Sequence, residues 1–153
     1  AAYAGIPLTH RDHAHSCVFV TGTSRNDRAE LDWARLAEPN QTIVVYMGLR
    51  QLTTICRSLT DHGLAASTPA ALVEHGTTQA QRVISGTLDT LPAQVRRAQP
   101  RAPTLLIIGS VVTLRGSLSW FEPEGAVAGP FSSARGPAPI AGGEVDEADL
   151  GRH

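Results

Sequence analysis

The feature that most limits how this chain can fold is a set of short apolar segments, each of which ends at or close to a glycine or turn residue. The most apolar of them, Thr104–Gly109, predicts a strand at the centre of a sheet. Cys17–Thr21, Thr42–Met47 and Ala70–Val73 have a similar composition, and Gln81–Gly86 predicts a fifth strand. We therefore expect one β-sheet.

Two helices are predicted between these strands. The first has apolar residues at i, i+3, i+4 and i+7, which are Leu52, Ile55, Cys56 and Leu59, and Gly63 follows as a stop signal. The second is Thr90–Ala98, with Pro92 in its first turn. Strands that alternate with helices indicate an α/β fold. Because Ala70–Leu88 contains two strand signals with no helix between them, the sheet should be mixed.

Composition excludes several classes of function. The 13 basic residues against 14 acidic ones give a net charge of −1, so we expect no nucleic-acid partner. All the basic residues are Arg, which rules out a catalytic lysine within this sequence. No apolar run approaches the roughly 20 residues of a membrane helix, so we expect no membrane partner. Cys17 and Cys56 are not a disulfide framework, which favours a reduced, cytoplasmic protein.

The two ends of the sequence differ from its middle. Residues 122–153 are rich in glycine, proline and acidic side chains, a composition that predicts a disordered tail. The sequence starts at Ala1 without a methionine or a signal peptide. We take this start as a sign that the chain begins within a longer protein.

Two groups of residues suggest a binding site. His10–His15 holds three histidines, which favours either a metal site or, as we expect, a polar loop without metal. Gly48, Gly76 and Gly109 each follow a predicted strand, together with small or polar neighbours. These three strand ends could line one ligand pocket, because α/β sheets bind ligands at strand ends. The alternative is three ordinary turns, with Met47 a buried core residue.

Taken in order, these segments resemble one family over all but the final 32 residues. The matching runs are Tyr3–Asp12 (Tyr-Ala-Gly-Ile-Pro-Leu-Thr-His-Arg-Asp), Val20–Gly22, Leu31–Trp33, Tyr46–Leu49, Glu74–Thr77, Gln81–Val83, Gly86–Leu88, Ile107–Val112 and Trp120–Phe121. The sequence thereby resembles the uroporphyrinogen-III C-methyltransferases of the tetrapyrrole methylase superfamily. Such proteins have two α/β domains with the active site in the cleft between them.

The resemblance implies that residues 1–15 are the interdomain segment and 16–121 the second α/β domain. It also implies an activity: two methyl transfers from S-adenosylmethionine to uroporphyrinogen III, which give precorrin-2 on the way to sirohaem and cobalamin. No metal is implied, and the family is usually homodimeric. The first domain, with its glycine-rich loop and the family's proposed acid and base, has no counterpart in this sequence.

The resemblance also assigns site residues. Met47 and Gly76 correspond to cofactor-binding positions. Val111 and Val112 are candidate walls of the adenine pocket, with core residues as the alternative. Arg11 is the candidate partner of a substrate carboxylate, with an interdomain salt bridge as the alternative. No catalytic residue is assigned, and because half of the family's cleft is missing, the chain should be inactive alone. The alternative function is a non-catalytic dimerisation or ligand-binding module derived from this domain.

Overall fold

The computed structural model describes residues 1–23 and 31–121, and the predicted tail, 122–153, lies outside them. The strands are β1 (Ser16–Thr21), β2 (Gln41–Tyr46), β3 (Pro69–Glu74), β4 (Arg82–Thr87) and β5 (Thr104–Ile108). The α-helices are α1 (Trp33–Leu36), α2 (Leu52–Asp61), α3 (Leu91–Ala98) and α4 (Arg115–Leu118). Two 3-10 helices cover Ala2–Ala4 and Ser110–Leu114.

The five strands form one sheet in the order β1-β2-β5-β3-β4. β1 and β2 run parallel, whereas β5 is antiparallel to both of its neighbours and β4 is antiparallel to β3. This arrangement confirms the mixed sheet and the central position of β5. The strand after β3 pairs with it directly because, as expected, no helix separates the two.

One face of the sheet, the helix face, is covered by α2 and α3. The predicted stripe of α2 faces the sheet, and its Ile55 and Leu59 are fully buried. They pack with Leu72, Leu106 and other residues that alternate along β2, β3 and β5. α2 ends at Asp61, and Gly63 then takes a φ of 114° that favours glycine. The core of this domain therefore lies between the sheet and these two helices.

Part of the opposite face is covered by the N-terminal segment. Ala4, Ile6 and Ala14 are each 1% exposed and pack with Ile107 and Val111. Residues 1–15, predicted as an interdomain segment, thus contribute to the core of this domain. The rest of this face, over β1 and β2, leaves the stacked rings of Phe19 and Tyr46 exposed, with centroids 6.4 Å apart.

The strand directions give the sheet two distinct ends. At one, which we call the Met47 end, β1, β2 and β3 finish and β4 and β5 begin. At the other, the Gly109 end, β5 finishes and β1, β2 and β3 begin. None of the helices in residues 1–23 and 31–121 has the length and apolar character needed to cross a membrane.

Candidate functional site

Met47 follows β2 in an unusual conformation. Its φ is 53°, in the left-handed region, and 63% of its surface is exposed, so it is not the buried core residue of the alternative interpretation. The Thr23 hydroxyl donates to its carbonyl over 2.8 Å. The turn is compact because a Cβ on Gly22 would lie 2.7 Å from the Cα of Gly48. Because Gly22 and Gly48 have no side chains, the backbone can pack this closely here, and the apolar side chain of Met47 is left exposed to solvent.

The turn after β3 is strained in the same way and lies at the same end of the sheet. His75 has a φ of 46° and Thr77 a φ of 73°, on either side of Gly76. A β-branched residue such as Thr77 rarely adopts this region, and such strain costs about 1–3 kcal/mol per residue. Strained backbone of this kind concentrates at binding sites, so the Met47 end is the candidate site.

Gln81 holds this turn in place. Its side chain is buried, and its Oε1 accepts from the Thr77 N–H over 2.8 Å. Its Nε2 donates to the carbonyl of Tyr3 over 2.9 Å. One amide thus ties the strained turn to the N-terminal segment.

A buried carboxylate, Glu74, organises the same end. It accepts from the backbone N–H of Arg101 over 2.6 Å and from the Nε of its cross-strand partner Arg82 over 2.7 Å. The His75 N–H donates to the carbonyl of Pro103 over 3.0 Å. Glu74 therefore joins the turn after β3 to the loop before β5. The only mark of this role in the sequence is an acidic residue that ends an apolar strand.

The pKa of Glu74 reflects these contacts. Burial acts to raise it, but the hydrogen bonds from Arg101 and Arg82 and the positive charge of Arg82 outweigh burial. The pKa consequently lies below its ordinary value of 4.5. The ionised side chain is thus the form that the folded protein stabilises.

The third predicted strand end does not join this site. Because β5 is antiparallel to β2 and β3, Gly109 emerges at the opposite end of the sheet from Gly48 and Gly76. The prediction of one pocket lined by all three strand ends is therefore wrong. Val111 and Val112 are 0% and 6% exposed and belong to the core beneath the N-terminal segment. This burial favours the alternative that both are core residues, and their role as walls of the adenine pocket stays a prediction.

Arg11 also lies at the Gly109 end. It is exposed in the turn between His10 and Ala14, and its carbonyl accepts from the His15 ring over 3.0 Å. Its guanidinium has no ion pair within the part of the chain that is described. The structure therefore brings Met47 and Gly76 to one end of the sheet and leaves Arg11 apart from them.

The histidine cluster forms this same turn. The rings of His10 and His13 meet edge to face with centroids 5.0 Å apart, and the Nδ1 of His10 accepts from the Asp12 N–H. Within residues 1–23 and 31–121 no group of three His, Cys, Asp or Glu side chains is arranged to hold a metal ion. The rings of His10 and His15 thus bond to backbone atoms of the same turn.

Comparison with known proteins identifies the family. The model of the Tetrapyrrole (Corrin/Porphyrin) Methylases matches residues 1–92. The chain belongs to the tetrapyrrole methylase family. The siroheme synthase of Nitrosomonas europaea is 58% identical over 134 residues, which are 85% of this chain and 28% of that protein. The siroheme synthase of Azotobacter vinelandii is 61% identical over 122 residues, 80% of this chain and 26% of that protein.

Solved structures agree with this tetrapyrrole methylase assignment. The uroporphyrin-III C-methyl transferase of Thermus thermophilus, solved in complex with S-adenyl homocysteine, has a TM-score of 0.62 and 30% identity. The match covers 72% of this chain and 49% of that one. A cobalt precorrin-4 methyltransferase shares the fold at a TM-score of 0.65 and 19% identity, covering 73% and 47% of the two chains. This chain thus spans about a quarter of the siroheme synthases and about half of these structures.

The buried position of Glu74 yields a prediction about stability. Glu74→Gln should lower the free energy of unfolding at neutral pH by about 1–3 kcal/mol, because an amide cannot replace the charged partner of Arg82. Since folding depresses the pKa of Glu74, its contribution is present above pH 4.5 and is lost as the pH falls through the folded-state value. Urea unfolding at several pH values measures both effects.

The matched control is Asp61→Asn, which removes an exposed carboxylate 3.7 Å from Arg57. Exposed pairs contribute little, so this variant should change stability by less than about 1 kcal/mol. The assigned role would be contradicted if Glu74→Gln were as stable as the parent at pH 7. It would also be contradicted if the difference in free energy of unfolding between the two proteins did not become smaller in acid.

Proposed function

We propose that this chain is the second domain of an S-adenosylmethionine-dependent uroporphyrinogen-III C-methyltransferase, and that it is inactive alone. The observation that carries the proposal is that Met47 and Gly76 lie at the same end of the sheet, each in a turn that contains left-handed backbone. The names of its relatives, siroheme synthases, favour a product that leads to sirohaem.

The Met47 end has the properties that an adenosyl group requires. Met47 offers an exposed apolar side chain, and Gly76 offers backbone with no side chain in the way. The strain at His75 and Thr77 is already present in the folded chain, so it need not be introduced on binding. S-adenosylmethionine supplies a methyl group activated by its sulfonium. The chain's contribution is to position that cofactor.

Arg11 is proposed to bind a carboxylate of the substrate. Uroporphyrinogen III carries acetate and propionate groups, and a guanidinium pairs with carboxylate through two parallel hydrogen bonds. The absence of a partner for Arg11 within the described residues leaves its donors available. No residue of this chain is assigned as the base that removes the later proton.

The proposal extends to assembly and location. The exposed rings of Phe19 and Tyr46, beside the edge strand β1, form an apolar patch of the kind that marks contact surfaces, which supports a homodimer. Cys17 and Cys56 are both free, and burial raises the pKa of Cys56 to about 11, so its thiol is unreactive. Free cysteines of this kind are typical of cytoplasmic proteins, where thiols are kept reduced.

Titration calorimetry with S-adenosylhomocysteine tests the cofactor site. The 153-residue chain should bind it saturably, and Met47→Ala and Gly76→Ala should each weaken binding about tenfold, or 1.4 kcal/mol. Leu118→Ala, which also truncates an exposed apolar side chain, is the control and should bind as the parent does. A dimer that ignores the compound would instead support the non-catalytic dimerisation module.

The role of Arg11 is tested in a fusion that joins this chain to the residues that precede the matched segment in the siroheme synthase of Nitrosomonas europaea. Arg11→Ala should raise the KM for uroporphyrinogen III about tenfold and leave the KM for S-adenosylmethionine nearly unchanged. Arg57→Ala, on the exposed side of α2, should change neither. Equal effects on both substrates would mean that Arg11 forms an interdomain salt bridge instead.

A further inference from the structure

A cleft at the Gly109 end of the sheet has no role in the proposed methyl transfer. It lies between β4, α3 and the 3-10 helix Ser110–Leu114, and it encloses about 280 Å³. Its walls are largely apolar and include Pro69 and Val112. The Met47 end is about 16 Å away, the length of a five-residue strand. The cleft is thus a separate feature of the domain, with room for a small ligand.

Two polar atoms in the lining of this cleft have no hydrogen-bond partner among the described residues. The Nε of Arg115 and the Oε1 of Gln94 are both buried without a hydrogen bond in the part of the chain that is described. The neighbouring hydroxyls of Thr87 and Thr90, by contrast, bond to each other over 3.0 Å. Buried donors and acceptors without partners are uncommon in folded proteins, and each calls for an explanation.

Neighbouring elements of the fold position Gln94 and Arg115 at the cleft. Gly86 lies under α3, where a Cβ would come within 2.6 Å of the Oε1 of Gln94 and 2.8 Å of the Oγ1 of Thr90. A residue with a side chain at this position would displace Gln94. Arg115 begins α4, directly after the 3-10 helix that forms one wall of the cleft. Burial lowers the pKa of its guanidinium, and no acidic side chain within residues 1–23 and 31–121 forms an ion pair with it.

We propose that this cleft binds a small carboxylate with an apolar body. The Nε of Arg115 donates to the carboxylate, and the Gln94 amide, turned by half a rotation, donates its NH₂ to the second oxygen. The apolar body of the ligand lies against Pro69 and Val112. The carboxylate accepts from the Arg115 Nε and from the turned NH₂ of Gln94, and it supplies the countercharge that Arg115 lacks within the described residues. Its binding is independent of the proposed function at the Met47 end.

Hexanoate tests the site, with hexanol and hexylamine as probes that keep the apolar body and change the head group. In calorimetry the 153-residue chain should bind hexanoate saturably, and each of the other two at least tenfold more weakly. Arg115→Gln should weaken hexanoate binding at least tenfold, because charge-assisted bonds to carboxylate are the strong ones. Arg97→Gln, which removes an exposed arginine near the end of α3, should have no effect.

Gln94→Glu keeps the test decisive if Arg115→Gln unfolds the chain. Its carboxylate supplies the missing countercharge, so the melting temperature without ligand should rise and hexanoate binding should be lost. The proposal is overturned if the parent chain shows no saturable binding, if hexanol binds as tightly as hexanoate, or if a folded Arg115→Gln or Gln94→Glu variant binds like the parent.

Discussion

The antiparallel placement of β5 between β2 and β3 is the constraint on which the rest of the structure depends. Since β5 runs against both neighbours, the turns after β2 and β3 share one end of the sheet, where the loop before β5 joins them. Gly109 and the 3-10 helix Ser110–Leu114, which follow β5, lie at the other end. The same register places Met47 and Gly76 at one end of the sheet, on either side of β5, and sends Val111 into the core. The domain therefore has two separate candidate binding regions, one at each end of a single apolar sheet.

The Met47 end combines strained backbone with the buried groups that stabilise it. Left-handed backbone at Met47, His75 and Thr77 is unfavourable by itself. Gln81 and Glu74 offset that cost, because each is buried and each accepts a backbone N–H from a turn or loop at this end. The result is a rigid surface that presents an exposed side chain and bare backbone, as a site that positions a cofactor requires.

Much of the fold could be predicted from periodicity. The five strands, the buried stripe of α2 and the mixed sheet were predicted, and the central position of β5 followed from its apolar composition. Strand direction cannot be predicted in this way, because an alternating pattern is the same in both directions along the chain. For this reason the prediction groups Gly109 with Gly48 and Gly76, although it lies at the opposite end of the sheet. The roles of Glu74 and Gln81 could not be predicted either, because their partners Arg101 and Tyr3 lie 27 and 78 residues away in the sequence.

The central claim is that the Met47 end binds the adenosyl cofactor, and the sequence offers a direct reporter. Met47 is the one methionine among 153 residues, so a chain labelled with carbon-13 in its methionine methyl group gives a single signal in the NMR spectrum. Addition of S-adenosylhomocysteine should shift that signal saturably, whereas hexanoate, which binds at the Gly109 end, should leave it in place. A methyl signal that does not move at concentrations of S-adenosylhomocysteine where calorimetry shows saturation would contradict the account.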